Sequence, residues 1–127
     1  MWGMLEILAS AAFLCTPIAV WDGDTFWCDG GIKIRIASIS AREMDGTCRP
    51  GHPCPDAGAE ASRDALVSLL GRATGRWKTG HIAISGPSIR CFDNGRSYDR
   101  VVASCELADG RDLGESMLAT GTVVRWR

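Results

Sequence analysis

The sequence predicts an α+β domain of five antiparallel strands and two helices. Apolar, β-branched runs recur between Asp-Gly turn signals from Phe13 to Ile39. Helical spacing of apolar residues appears at 56–70 and again at 112–119. Between the helical stretches lie two more strand-like runs, 82–92 and 98–107. The order β-β-β-α-β-β-α fits a small OB-type barrel with one helix between the third and fourth strands.

The first strand is expected from about Phe13 to Trp21, ending at Asp22-Gly23. Thr25 to Cys28 makes the second, and Asp29-Gly30-Gly31 the next turn. The third runs from Ile32 to Ile39, with Ile32, Ile34 and Ile36 on one face and Lys33 and Arg35 on the other. Its phase slips at Ala37-Ser38-Ile39, which predicts a bend. Residues 44–55 form a loop rich in Gly, Pro and Cys. A helix capped by Asp56 follows and runs to about Leu70, stopping at Gly71. Its inward face is Ala59, Ser62, Leu66, Leu69 and Leu70.

Residues 71–80 read as a polar linker. The strand from Ile82 to Phe92 is interrupted by Gly86-Pro87, and Asp93-Asn94-Gly95 reads as a turn. Tyr98 to Leu107 is the last long strand. A short helix from Asp112 to Ala119 is expected to bury Leu113, Met117 and Leu118, with Gly121 at its end.

A chain of 127 residues is the size of one domain, read as 13–127, preceded by an apolar segment at 1–12. Residues 7–20 are apolar enough for a signal-peptide core, although no Lys or Arg precedes them and Glu6 adjoins the run. The run is too short and mixed for a membrane span. The net charge of −1 excludes a broad basic footprint, so a nucleic-acid ligand must be held locally by a few arginines. Six cysteines predict a disulfide framework and a secreted or periplasmic location. Local pairing suggests Cys15–Cys28, Cys48–Cys54 and Cys91–Cys105, one of 15 connectivities. Zinc at Cys48-x3-His52-x-Cys54 and free buried thiols are the competing readings.

The polar residues of interest are Asp22, Asp24, Arg35, Glu43 and Arg100. Arginine forks suit a phosphoryl group, and a carboxylate can position or deprotonate a nucleophile. Plainer readings stand beside this one: Asp22-Gly23-Asp24 as a hairpin turn, Arg35–Glu43 as an ion pair, His52 and His81 as surface loop residues. Trp21 and Trp27 are candidates for stacking on bases.

The string V-x-D-G-D-T-F followed by I-x-I-R-I-x-x-I-x-x-x-E resembles the staphylococcal nuclease family. F-D-N-G-R-S-Y-D-R-V-V-A-S at 92–104 is similar to that family's strand with the second arginine. G-R-D-L-G-E-S-M-L-A-T-G-T-V at 110–123 is similar to its helix signature. The resemblance implies an OB barrel without the family's long C-terminal helix, and calcium-dependent cleavage of DNA or RNA by a monomer. It assigns catalysis to Arg35, Glu43 and Arg100, and the calcium positions to Asp24, Ser40 and Ala41.

Ser40 stands where the family has an aspartate, Arg42 where it has proline, and Asp99 where it has glycine. Losing one carboxylate weakens a hard-cation site, with Asp22, Asp45 and Asp99 the remaining acids nearby in sequence. The alternative function is an inactive module that binds single-stranded nucleic acid or a protein partner.

Overall fold

A computed structural model describes residues 12–126. The apolar segment at 1–12 lies outside these residues but for Ala12. The fold is α+β, with two helices and a curled, mixed sheet of eight strands.

The first long strand is split. β1 (Ala12–Cys15) and β2 (Pro17–Asp22) are separated by Thr16 alone. β1 pairs antiparallel with β8 (Ile89–Ser97) at one edge of the sheet. β2 pairs with β3 (Thr25–Cys28) and β7 (Ile82–Ser85). One continuous stretch thus occupies two distant positions in the strand order, which forces the sheet to curl. β3 turns at Gly30 and Gly31, whose φ of 86° and 85° suit glycine, into β4 (Lys33–Ile36).

At the predicted phase slip the strand breaks. Ser38 adopts φ 68°, and β5 (Ile39–Ser40) leaves to pair with β10 (Val124–Arg125). β4 instead takes β9 (Arg100–Glu106) as a parallel neighbour. The expected five antiparallel strands are therefore corrected on two counts: the sheet has eight strands, and one pair is parallel.

Other corrections follow from local physics. Residues Arg72–Arg76 of the expected linker form β6, an exposed edge strand on β7; an edge tolerates polar residues. Asp93-Asn94-Gly95 is a bulge inside β8. Asp93 accepts from Gly95 N and from Arg96, Asn94 donates to Ser104, and Gly95 takes φ 123°, so the local bonds serve a bulge as well as a turn. The reversal falls at Tyr98-Asp99.

Helix α1 (Ala59–Leu70) begins at Gly58 and not at Asp56, without a side-chain cap. It buries Ser62, Leu66, Val67 and Leu70, while Leu69 is half-buried. Helix α2 (Leu113–Ala119) is capped by Asp112, whose carboxylate accepts from Glu115 N at 2.8 Å. It buries Leu113 and Met117, and Leu118 is half-buried. Among the described residues, no helix is long and apolar enough to cross a membrane.

The three disulfides are Cys15–Cys28, Cys48–Cys54 and Cys91–Cys105. Cys91 and Cys105 sit directly opposite each other in the β8–β9 register. With every cysteine paired, zinc at Cys48 and Cys54 is ruled out. On the loop-entropy estimate the two longer loops contribute about 3 kcal/mol each and the short ring about 2 kcal/mol.

Candidate functional site

The Asp22-Gly23-Asp24 turn is buried beneath helix α1. A Cβ built on Gly23 would lie 2.5 Å from Ser62 Cβ and 2.9 Å from Ala41 Cβ. Glycine is needed here for close approach, and the turn joins three elements: the β2–β3 hairpin, α1 and the segment after β5. The Asp24 carboxylate is held by three neighbours. Its Oδ2 accepts from Ala41 N at 3.1 Å and lies 3.6 Å from Arg35 Nη1; its Oδ1 accepts from Thr25 Oγ1 at 3.1 Å.

Asp22 is buried beside it and accepts from Asp24 N at 3.2 Å. Burial, then the charge of Asp24, holds the Asp22 carboxyl well above the usual range. The folded state therefore keeps this proton more tightly than the unfolded chain. The resulting stability is full below the unfolded carboxylate range, at about pH 4, and is lost as pH rises through the raised value. Asp22→Asn preserves the donor and the acceptor without the charge. It raises the melting temperature at neutral pH, and the gain closes as pH falls below about 4. Thermal melts across that range check the sign; a variant less stable at neutral pH would contradict it.

Arg35 and Glu43 do not pair. Arg35 is 4% exposed, and its Nη1 donates to Ile36 O at 2.7 Å and Ile39 O at 2.9 Å. It satisfies carbonyls around the break between β4 and β5. Its guanidinium also lies 5.6 Å from the Trp126 ring. Glu43 pairs instead with Arg49, Oε1 accepting from Nε at 2.7 Å. Arg100 donates to Thr25 Oγ1 at 3.0 Å and to Ser97 Oγ at 3.3 Å. Burial, then the charges of Arg49 and Arg35, pull its guanidinium pKa down. Three guanidiniums thus repel one another across this region, and a bound anion would relieve that repulsion.

These residues divide between two clefts. Glu43, Arg100, Asp22 and Lys33 line a cleft of about 380 Å³. Trp21, Trp27, His81 and Asp99 also line it. Arg35 lines a second cleft of about 780 Å³, with Arg96, His52 and Trp126. Arg49 and Tyr98 line both. The predicted trio of Arg35, Glu43 and Arg100 is therefore not brought together in one cleft.

Arg49 was not among the sequence candidates. It lies inside the ring closed by Cys48–Cys54, and a charged residue so constrained in sequence was the available signal. Tyr98 is 91% exposed with φ 58°, a conformation unusual for a tyrosine. Arg49 lies 6.0 Å from its ring.

The two histidines are not free surface residues. His52 stacks on Trp126 at 3.8 Å between centroids. His81 accepts from Trp27 Nε1 at 3.1 Å through Nε2, so Nδ1 carries the proton beside Thr79 Oγ1. Burial, then Lys33, lowers the His81 pKa, which preserves this neutral tautomer.

The calcium implied by the family resemblance needs several oxygen ligands. Both Asp24 oxygens already accept from protein donors, and a guanidinium stands beside them. Ser40 supplies only a neutral hydroxyl, and Ala41 turns its N–H to Asp24. Asp45 accepts from Thr47, and Asp99 pairs with Lys33 at 2.8 Å, so neither completes a cage. Among the described residues, no three His, Cys, Asp or Glu side chains converge on one point. The donor set does not fit a hard cation.

No family model, curated protein or solved structure matches this chain.

Proposed function

We propose that the smaller cleft is a nuclease-like phosphodiesterase site acting on single-stranded nucleic acid. The observation that carries this reading is the convergence of Glu43, Arg49 and Arg100 on one cleft beside exposed Tyr98. Two guanidiniums match the double negative charge of a phosphorane-like transition state, and a carboxylate in the same cleft can take a proton from the attacking oxygen. The strand pattern supports an OB-type ring: β1 with β2, β3, β4, β9 and β8 close around the core through the Thr16 junction. Three disulfides favour a secreted or periplasmic protein, acting as a monomer.

Without a cation cage, RNA suits these residues better than DNA. Its 2′-hydroxyl is a nucleophile already attached to the substrate and needs no positioned water. Glu43 takes the 2′-hydroxyl proton as the 2′-oxygen–phosphorus bond forms. Arg49 and Arg100 balance the charge on the phosphoryl oxygens. The bond to the 5′-oxygen breaks, and that oxygen takes a proton from solvent, leaving a 2′,3′-cyclic phosphate.

A non-hydrolytic single-strand binder is the second reading. It is favoured by the closed hydrogen-bond shell of Asp24.

Matched RNA and DNA 12-mers incubated with the protein in EDTA separate the readings. The expected result is RNA cut to cyclic-phosphate ends and DNA bound but intact. Binding of both without cleavage, in EDTA or with added calcium, leaves the binding module. DNA cleavage that appears only with calcium would restore the cation to the mechanism. No binding to either would end the phosphodiester reading.

A further inference from the structure

Apart from Arg49, the second cleft has no part in the chemistry above, yet it is the larger of the two. Among the described residues, it is lined by three arginines and by no carboxylate. Arg35 is preorganised there: two backbone carbonyls hold Nη1, and Trp126 lies beneath the guanidinium. Trp126 is in turn stacked on His52, which the Cys48–Cys54 ring holds in place. Arg96 anchors the outer wall through its ion pair with Asp93 at 2.8 Å. Arg35 also lies 3.6 Å from Asp24, and Arg49 is paired with Glu43, so an anion entering this cleft meets oriented guanidiniums whose partner acids stand outside its lining.

The two clefts meet at Arg49 and Tyr98. Tyr98 is nearly fully exposed at the two-residue reversal between β8 and β9, whose tight turn accounts for its positive φ, while no packing accounts for a bare ring there. An exposed aromatic ring is shared here by an arginine-lined cleft and by one in which Lys33, Arg49 and Arg100 stand among Asp22, Glu43 and Asp99. A single strand can follow such a layout, with phosphates on the arginines of each cleft and a base stacked on the ring.

We propose that the second cleft is a second phosphate subsite, so that one single strand runs on from the first cleft and stacks a base on Tyr98. This rests on the reading of the first cleft as a phosphodiester site. It specifies a polynucleotide ligand longer than a dinucleotide.

Fluorescence-anisotropy titrations with oligothymidylates of two to eight nucleotides test it. An eight-mer offers a two-nucleotide site about seven overlapping registers, so length alone yields up to about sevenfold in affinity. With a base stacked on Tyr98 and a second phosphate held, the eight-mer binds at least about thirtyfold tighter than the two-mer. Tyr98→Ala lowers eight-mer affinity by about fivefold or more. Arg96→Ala lowers the ratio of eight-mer to two-mer affinity and reduces the slope of log affinity on log salt by about 0.7. Arg111→Ala, which removes an arginine lining neither cleft, leaves the ratio unchanged. A wild-type ratio at or below the register value overturns the second subsite while two-mer binding leaves the first cleft standing. Absence of binding at every length would instead overturn the phosphodiester reading itself.

Discussion

Glu43→Gln lowers RNA cleavage by about a hundredfold to ten-thousandfold, the range that a positioned general base contributes. Glutamine keeps the length of the side chain and an oxygen that accepts from Arg49 Nε, as Glu43 does at 2.7 Å. It cannot take a proton at neutral pH. The variant therefore separates chemistry from binding: affinity for a DNA 12-mer changes little, while single-turnover cleavage of RNA collapses. Arg49→Ala has a different pattern, because it removes a proposed phosphate contact and frees Glu43 together: affinity and rate both fall. If Glu43→Gln cleaves at the wild-type rate, the base is another group and the mechanism is wrong.

Gly23→Ala produces the largest loss of stability. The added methyl would sit 2.5 Å from Ser62 Cβ and Oγ, and 2.9 Å from Ala41 Cβ. Cβ atoms move only with their backbones, so the helix or the hairpin must shift. Overpacking of this kind costs about 3 kcal/mol, or about 10 °C in melting temperature for a domain of this size. Ser62→Gly removes the nearest obstacle, at about 1 kcal/mol for glycine within a helix. The double variant recovers part of the loss, and a double-mutant cycle on denaturation midpoints measures the coupling. A cost below about 0.5 kcal/mol for Gly23→Ala alone would mean that the turn is not clamped by α1.

Legibility in the sequence followed the range of the interactions involved. The disulfides could be paired because each closes within a short stretch, and the structure has the same three bonds. The bend at Ala37-Ser38-Ile39 was visible as a slip in alternation, and Ser38 marks it with positive φ. Where the bent strand goes next was not visible. The pairing of β5 with β10 and of β4 with β9 is set by contacts remote in the chain. β6 was hidden because its residues are polar, and only its docking on β7 makes it a strand.

The site was legible as residue types but not as a geometry. Asp24, Glu43 and Arg100 could be singled out by their setting. The turn of Arg35 toward Ile36 O and Ile39 O depends on carbonyls exposed by the kink, which no local pattern records. Likewise Glu43 finds Arg49 and not Arg35, because the disulfide ring folds Arg49 back over it.

The Thr16 junction has a further consequence, for folding on the ribosome. β1 leaves the exit tunnel well before β8, against which it pairs: six named strands and a helix are made between them. Until β8 emerges, β1 and its exposed Leu14 have no native partner, whereas β2 and β3 can form their hairpin at once. Vectorial synthesis therefore leaves one seam open while the elements between β1 and β8 are made. A nascent chain in that state presents an unpaired strand edge, the kind of surface that holdase chaperones cover.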